Sequence, residues 1–301
     1  MTATPTIASW GAGIDSTAMI IELEAQGTPP DLVLFAETGA EYPETDAYIP
    51  VFEDWLAERQ IPFRRVRYAP TRLNGKPDYR SLLEDILASK TLPAIAFGQH
   101  SCSLKGKVAP QTAAAQLWQP AIDAWAQGSR VTRLIGYDAS PRDIRRHAHA
   151  LRHDDPRFEN RYPLIEWGWT RERCIERIAA AGLPIPRKSS CFMCTACSPD
   201  DIDSLPPDHL GLIILIEAAA APRLTTTEGL WRKSTKGRRG PPRPGRISDY
   251  IENRGLLPAS RIAAIKTRVL SDLERHLAPA TRNAASMSEW INQHFPDFDG
   301  T

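Results

Sequence analysis

The sequence predicts an α/β fold: a doubly wound, mainly parallel sheet, followed by a cysteine-rich loop and a C-terminal helical region. Three observations predict it. Short apolar runs alternate with longer helical patterns over the first half of the chain, three cysteines cluster in a proline-flanked loop, and the C-terminal part has only helical patterns. Strands separated by helices are typical of parallel sheets covered on both faces.

We expect strands at Thr6–Ser9, Asp31–Ala36, Phe63–Tyr68 and Val131–Gly136. The Asp31–Ala36 segment is an almost continuous apolar run, the pattern of a strand buried on both faces. Apolar side chains recur at helical spacing between these runs, so helices are expected at Ile14–Gln26, Tyr48–Gln60 and Lys107–Gln127. Ligands of such sheets bind beyond the carboxyl ends of the strands.

Composition excludes several classes of protein. The 301 residues are 42% hydrophobic and 24% charged, and 37 Lys and Arg against 36 Asp and Glu give a net charge of +1, which argues against a uniformly basic nucleic-acid coat. The start of the chain lacks a secretion signal and no apolar run reaches the length of a membrane helix. Five cysteines argue against a closed disulfide framework, and we expect a cytoplasmic protein whose thiols are reduced or bind metal.

A glycine- and hydroxyl-rich loop, Ser9-Trp10-Gly11-Ala12-Gly13-Ile14-Asp15-Ser16-Thr17, joins the first strand to the first helix. Glycines let the backbone approach an anion, and the helix N-terminus offers unpaired N–H groups. The dinucleotide fingerprint fails because Ser16 stands at its third glycine, and the Gly-Lys-Ser/Thr of a Walker loop is absent from the sequence. The loop therefore suits a phosphate or pyrophosphate, and a turn that binds nothing is the alternative.

The pattern Ser-x-Gly-x-Asp-Ser resembles the pyrophosphate loop of the PP-loop ATP pyrophosphatase superfamily, with Trp10 where glycine is usual. Residues 37–45 resemble a segment of the phosphoadenosine phosphosulfate (PAPS) reductase branch, with Glu37 in place of Asp. Further segments resemble the same branch, and the resemblance covers about residues 6 to 200: Cys102-Ser103 with Lys107 and Pro110, Gly136-Tyr137-Asp138 leading into Arg142, Arg145 and Arg146, Tyr162–Arg171, Cys174, and Ser190–Cys194.

The resemblance implies an ATP site that also requires Mg²⁺. It implies that the β- and γ-phosphates are held by Ser9, Gly11, Gly13, Asp15, Ser16 and Thr17, that Thr38 and Gly39 lie against the nucleoside, and that Gly136 lets the adenine approach. It nominates Asp15, Lys107 and Arg142 as catalytic residues. In this chemistry a substrate oxygen attacks the α-phosphate, pyrophosphate leaves, and a nucleophile, often sulfur, then displaces the adenylate. Glu41 is equally interpretable as a site residue or as a turn residue.

Cys191, Cys194 and Cys197 form a C-x₂-C-x₂-C run, a spacing that lets thiolates converge on Zn²⁺ or an iron–sulfur cluster. Buried, unliganded thiols are the alternative. The resemblance implies that Cys102, Cys174, Cys191 and Cys194 are the ligands of a 4Fe–4S cluster, with zinc as the alternative. It leaves Cys197 as a spare thiol.

Residues 228–246 carry seven cationic side chains against one carboxylate. Such a segment, here Arg232–Arg246 with Trp231 beside it, suits a nucleic-acid backbone or the phosphates of ATP, and a solvated irregular loop is the alternative. His147, His149 and His153 favour an exposed polar face over a metal site. We expect Trp118, Trp125, Trp167 and Trp169 to pack in the core or an interface.

These patterns predict three regions: a PP-loop nucleotide-binding domain at 1–169, a cysteine-rich metal- or cluster-binding segment at 170–200 beginning with a helix at Thr170–Ala181, and a helical region at 201–301 carrying the basic loop 228–246. Its last helices are expected at Pro258–Leu277 and Ser286–His294.

The leading hypothesis is an ATP-dependent enzyme that adenylates a substrate and transfers sulfur from a donor protein to a nucleic acid, as in tRNA thiolation or DNA phosphorothioation. A PAPS or adenylylsulfate reductase is one rival, although no cysteine follows Cys197 to supply the C-terminal Glu-Cys-Gly-Leu-His motif of those enzymes. A non-catalytic nucleotide-binding regulator with structural zinc is the other.

Overall fold

The predicted fold class is confirmed by a five-stranded sheet. The structure, a computed structural model, describes residues 4–68, 81–98, 101–187, 189–237, 242–278 and 286–298. The strands lie in the order β3-β2-β1-β4-β5, and β1 pairs in parallel with both β2 and β4, as β4 does with β5. Their bounds are Thr6–Trp10 (β1), Leu32–Glu37 (β2), Phe63–Arg67 (β3), Val131–Ile135 (β4) and Phe158–Arg161 (β5).

Helices fill the connections and the C-terminal part of the chain. The expected helix at Lys107–Gln127 is divided into α5 and α6, with Pro120 in the first turn of α6, where its missing N–H costs no hydrogen bond. In chain order the helices are α1 Ile14–Ala25, α2 Pro43–Glu58, α3 Leu82–Ser89, α4 Ser101–Ser103, α5 Ala109–Gln116, α6 Gln119–Ala126, α7 Pro141–Ala150, α8 Pro163–Glu166, α9 Arg171–Ala180, α10 Pro199–Asp203, α11 Pro207–Ala220, α12 Ile247–Arg254, α13 Ala259–Ala264, α14 Leu270–His276 and α15 Met287–His294. Short 3₁₀ turns at Ala94–Phe97 and Ala221–Arg223 and π turns at Leu104–Val108 and Ile265–Val269 complete them.

The chain divides into two compact units that alternate along the sequence. Unit 1 comprises residues 1–37, 43–66 and 108–189, and unit 2 comprises residues 38–42, 67–107 and 190–301. The region boundaries expected after residues 169 and 200 stay a prediction.

Unit 1 is the sheet with helices on both faces. Ala8 and Trp10 of β1 pack in a cluster that includes residues of α1, α2 and α9, whereas Ile7 packs in a second cluster with residues of α5 and α6. β1 lies between β2 and β4, so the connections that leave β1 and β4 diverge at this point. Such a divergence opens a crevice at the carboxyl ends of the two strands, the usual ligand position in doubly wound sheets.

Unit 2 is built around α11, a helix that is buried on nearly all sides. Side chains of α3, α12, α13, α14 and α15 pack in the same apolar cluster. Among the described residues, no helix combines the length and the apolar composition needed to cross a bilayer. The all-round burial therefore explains the apolar run at residues 210–221 as the centre of a protein core.

One charged residue interrupts that core helix. Glu217 is 3% exposed, and its carboxylate accepts hydrogen bonds from the N–H groups of Leu230 (2.7 Å), Ile247 (3.0 Å) and Ser248 (2.8 Å). Burial raises the pKa of Glu217, and the three bonds oppose the rise. Because Leu230 precedes most of the cations of residues 228–246 and Ile247 follows them, this carboxylate fixes both ends of the basic segment.

Glu217→Ala is expected to destabilise the protein by about 3 kcal/mol or more, because it leaves buried N–H groups without an acceptor. Glu217→Gln keeps one acceptor oxygen and should lose less stability than Glu217→Ala. The free energy of unfolding in urea measures both effects. Glu252→Ala, which removes an exposed carboxylate paired with Lys266, is the control and should change stability by about 0.5 kcal/mol or less. Equal losses for Glu217→Ala and Glu252→Ala would contradict the assigned role.

Candidate functional site

The loop after β1 folds tightly around the start of α1. Ala12 has a left-handed backbone (φ +53°), and Gly13 caps α1 in an extended conformation. The N–H of Gly11 donates to Ser16 Oγ at 3.1 Å, and the N–H of Thr17 donates to Gly13 O at 3.2 Å. The loop therefore presents the first turn of α1 at the sheet edge, where helix N–H groups and the positive end of the helix dipole suit an anion.

Trp10, which stands where the PP-loop pattern usually has glycine, anchors this loop. Its indole is 1% exposed and packs against Phe35, Phe52 and Phe63 at ring-centre distances of 4.8–5.8 Å. Its Nε1–H donates to Thr17 Oγ1 at 2.9 Å. The side chain thus ties the end of β1 to α1 and fills the aromatic cluster beneath the loop.

Gly136 is required where β4 approaches α1. A Cβ at this position would lie 2.7 Å from Ser16 Cα and 2.8 Å from Ser16 N, both backbone atoms. The close packing of β4 on the first turn of α1 therefore explains this glycine by itself. The contact of Gly136 with the adenine of ATP stays a prediction.

Asp15 is the most strongly perturbed acid at the loop. Its Oδ2 accepts a hydrogen bond from Arg171 Nη2 at 2.7 Å, whereas its buried Oδ1 has no hydrogen-bond partner among the described residues. Burial raises the pKa of Asp15 to about 6; the Arg171 guanidinium opposes the rise, and the carboxylates of Asp138 and Asp143 add to it. Asp138 and Arg171 belong to segments that resemble the PAPS reductase branch, but no local pattern connects them or Asp143 with the loop.

The hydroxyl groups predicted to bind phosphate have different surroundings. Ser9 Oγ donates to Gln111 Oε1 at 2.7 Å, and Thr17 Oγ1 accepts from the Trp10 indole. Ser189, which the sequence did not single out, lies over the glycines, since a Cβ at Gly13 would be 2.8 Å from its Oγ. The hydroxyls of Ser16 and Ser189 are therefore the two nearest the glycines of the loop.

In unit 2 the turn that follows β2 meets the cysteine run. Gly39 has a left-handed φ of +66°, and the Glu41 carboxylate accepts hydrogen bonds from Thr38 N (2.9 Å), Thr38 Oγ1 (2.6 Å) and Ala40 N (3.1 Å). Glu41 is thus the residue that closes the turn. Glu41 and Cys191 form an antiparallel bridge, so two motifs that are distant in the sequence are neighbours.

The thiol of Cys191 lies 3.4 Å from Thr38 Oγ1. The Thr38 hydroxyl donates its proton to Glu41, so its oxygen accepts one from the thiol. Burial raises the pKa of Cys191 to about 12, and the Lys107 ammonium opposes the rise. This places Lys107, nominated as catalytic, beside the cysteine run.

The cysteines differ in their surroundings. Cys191, Cys194 and Cys197 follow one another in two successive turns, closed by Cys194 N–H to Cys191 O (3.0 Å) and Cys197 N–H to Cys194 O (3.1 Å). Cys197 is buried, and its Sγ lies 2.9 Å from Tyr42 Oη. Cys102 packs against the same apolar cluster as Cys191 and Cys194. Within the described parts of the chain, no three His, Cys, Asp or Glu side chains are placed to hold a metal ion.

Cys174, the other predicted ligand, belongs to unit 1. It is fully buried on α9 in the cluster that contains residues of α1. Burial raises the pKa of Cys174 to about 12, and the Asp15 carboxylate adds to the rise. In this fold the Cys174 thiol is protonated at neutral pH. Its role as a metal ligand stays a prediction.

The α7 helix carries the remaining candidates, of which His147 is half-buried, with its ring centre 4.5 Å from that of Tyr162. Arg142 is exposed, and Arg146 pairs with Asp143 at 2.9 Å and lies over the Tyr137 ring. His149 is exposed like Arg142, as expected for a polar face.

The described parts of the basic segment, residues 228–237 and 242–246, are irregular but hydrogen-bonded. Thr235 and Arg243 form a short antiparallel bridge, and the Arg243 guanidinium lies 4.5 Å from the centre of the Trp231 ring. Trp231 Nε1 donates to Cys197 O at 2.8 Å, which attaches the segment to the cysteine run. Arg238 and Arg239 lie outside the described residues. Exposed cations of the segment are Arg232, Lys233, Lys236 and Arg246.

With this geometry described, the chain can be compared with known proteins. No family model matches it, and no curated protein does. Among solved structures it is similar to the U34-tRNA thiolase NcsA from Methanococcus maripaludis with its [4Fe-4S] cluster, at 12% identity and a TM-score of 0.38, over 92% of this chain and 73% of that one.

The shifted pKa of Asp15 predicts a pH-dependent stability. Because the folded-state pKa (about 6) exceeds the ordinary value of 3.8, the folded protein binds the proton more tightly. Protonation of Asp15 contributes its full stabilisation of the folded state below about pH 4, and this contribution is lost as the pH rises through 6. Asp15→Asn should therefore be more stable than the native protein at pH 8 by about 3 kcal/mol, and equal to it near pH 4. Urea unfolding across this range measures the difference; a constant difference would contradict the shift.

Proposed function

We propose that this protein is a PP-loop enzyme that uses ATP to adenylate a substrate, releasing pyrophosphate, and then transfers sulfur to a nucleic acid. The observation that carries the proposal is Asp15, a half-buried carboxylate whose buried Oδ1 is unsatisfied among the described residues, beside a glycine loop at a helix N-terminus. A loop that served only as a turn would gain nothing from an acid held in this state.

The loop supplies the phosphate contacts. The first-turn N–H groups of α1 and the hydroxyls of Ser16 and Ser189 surround the two glycines, so a phosphate bound over Gly13 would contact Ser189 Oγ. Arg171 lies on the other side of Asp15 and keeps that carboxylate ionised. These groups bind and orient the polyphosphate.

Mg²⁺ fits this site because its preferred ligands are oxygens and Asp15 Oδ1 has no hydrogen-bond partner among the described residues. When bound, Mg²⁺ would neutralise the charge that develops on the phosphates. Asp15 would hold it, and Asp138 and Asp143 would add to the negative potential that attracts it.

Asp15→Ala is expected to lower the release of pyrophosphate from ATP by about 100-fold or more, because it removes the acceptor for the cation. Asp154→Asn is the matched control: it also removes a carboxylate paired with an arginine, Arg130, but on an exposed surface. Pyrophosphate release is measured at saturating Mg²⁺ with tRNA and with DNA. Unchanged release in Asp15→Ala would refute the loop assignment, and no release in the native protein with either acceptor would favour a non-catalytic regulator.

We also propose that Cys191 and Cys194 are ligands of a 4Fe–4S cluster, together with Cys102 and Cys174. The fit is partial: Cys191 and Cys194 begin and end one turn and offer a chelating pair, but the four thiols do not form a preassembled site in the described residues. Bound by all four thiolates, such a cluster would supply electron transfer or hold the cysteine run in place. Lys107 stands beside Cys191 and favours its thiolate, the form that binds metal.

Anaerobic purification followed by iron, sulfide and zinc analysis tests the ligand set. Cys191→Ser and Cys194→Ser should each lose most of the bound iron, whereas Cys197→Ser should retain it, because Cys197 faces Tyr42. A colourless, zinc-loaded and iron-free native protein would replace the cluster with structural zinc. Equal iron in all variants would reject the assigned ligands.

A nucleic acid is the proposed acceptor because exposed cations are concentrated in the segment 228–246, which is attached through Trp231 to the cysteine run. A donor protein would supply the sulfur. The reductase alternative is disfavoured because the sequence has no cysteine after Cys197.

A further inference from the structure

Unit 2 contains a pocket of about 270 Å³ that the proposed function has not used. Its apolar wall is formed by Leu82, Ile86 and Leu92, and an Asp85–Lys105 ion pair supplies both a hydrogen-bond acceptor and donors at its side. The volume lies just below the range usual for drug-sized ligands, so the pocket suits one small flat molecule or group. An apolar wall with a polar edge fits a nucleobase.

An aromatic ring stands at the opening of this pocket. Phe97 lines it and is 40% exposed, although the residues around it in the 3₁₀ turn are more buried. An exposed ring beside an apolar pocket offers a flat face on which a base can stack, whatever its identity.

A cation lies next to that ring. Arg232 is exposed, and its Nη2 is 3.7 Å from the position that a Cβ on Gly98, the neighbour of Phe97, would occupy. Its backbone is left-handed (φ +70°), a conformation that is strained for arginine. The hydrogen bonds that Glu217 accepts from the N–H groups of Leu230 and Ile247 hold the backbone on both sides of Arg232.

We infer that this pocket binds one nucleotide of a single-stranded nucleic acid, with the base stacked on Phe97 and its phosphate on Arg232. The inference rests on the proposed nucleic-acid acceptor and specifies where that acceptor is held. Asp85 and Lys105 line the same pocket and would form the polar contacts of the base edge. Cys102, one of the proposed cluster ligands, also lines it.

Binding of fluorescently labelled oligothymidylate and oligouridylate to the full-length protein, followed by anisotropy over a range of salt concentrations, tests the inference. Phe97→Ala should weaken binding about ten-fold with no change in the salt dependence, because it removes stacking but no charge. Arg232→Asn should lower the slope of log affinity against log salt by about 0.7, the loss of one phosphate contact; asparagine tolerates the left-handed backbone. The two strands distinguish RNA from DNA.

Three control variants separate nucleotide binding in this pocket from non-specific charge attraction and from ATP binding at the loop. Arg268→Asn removes another exposed cation of unit 2 and should leave the slope unchanged. Phe97→Trp keeps a stacking surface and should retain or strengthen binding. Asp15→Asn should bind the strands like the native protein, since the ATP loop is not involved.

Native affinity in both Phe97→Ala and Arg232→Asn would overturn the pocket assignment and leave the ATP reaction untouched. A slope reduced equally by Arg268→Asn and Arg232→Asn would show diffuse charge binding and also overturn it. If the native protein binds neither strand while releasing pyrophosphate, the nucleic-acid acceptor is wrong and the adenylation step stands.

Discussion

The approach of β4 to the first turn of α1 is the constraint on which the site of unit 1 depends. No side chain fits at Gly136, so the backbone beyond β4 reaches Ser16 directly. Asp138 and Asp143 follow within a few residues, and their carboxylates consequently fall close enough to Asp15 to raise its pKa. A single glycine contact at the point where the connections diverge thus determines both the shape of the loop and its negative potential.

Features encoded in consecutive residues could be predicted from the sequence. The strand at Leu32–Glu37 follows from its apolar run, and the loop at 9–17 follows from its glycines and hydroxyls. β5 could not be predicted, because an edge strand reading Phe-Glu-Asn-Arg has one buried apolar residue and no alternation to recognise. Arg171 and Ser189 could not be predicted either: they reach the loop from more than 150 residues away, through packing that leaves no local pattern.

The cysteines show why spacing alone does not determine a ligand set. Cys191, Cys194 and Cys197 have equal spacing, yet the thiol of Cys197 faces Tyr42 within the core. The three cysteines differ in their surrounding contacts. One of these is the hydrogen bond from the Trp231 indole to the Cys197 carbonyl. The spacing predicts a turn, and the tertiary packing decides which thiols of that turn are available.

Two carboxylates with raised pKa values, the buried Glu217 and the half-buried Asp15, differ in how their oxygens are satisfied. The Glu217 carboxylate accepts hydrogen bonds from three backbone N–H groups, and these bonds offset the free-energy cost of burying the charge. They also fix both ends of the basic segment. Asp15 Oδ2 accepts a hydrogen bond from Arg171, whereas Oδ1 has no hydrogen-bond partner among the described residues. A raised pKa is common to both and therefore cannot identify a site. The unsatisfied oxygen distinguishes Asp15 from Glu217, and a cation or a ligand would complete its coordination.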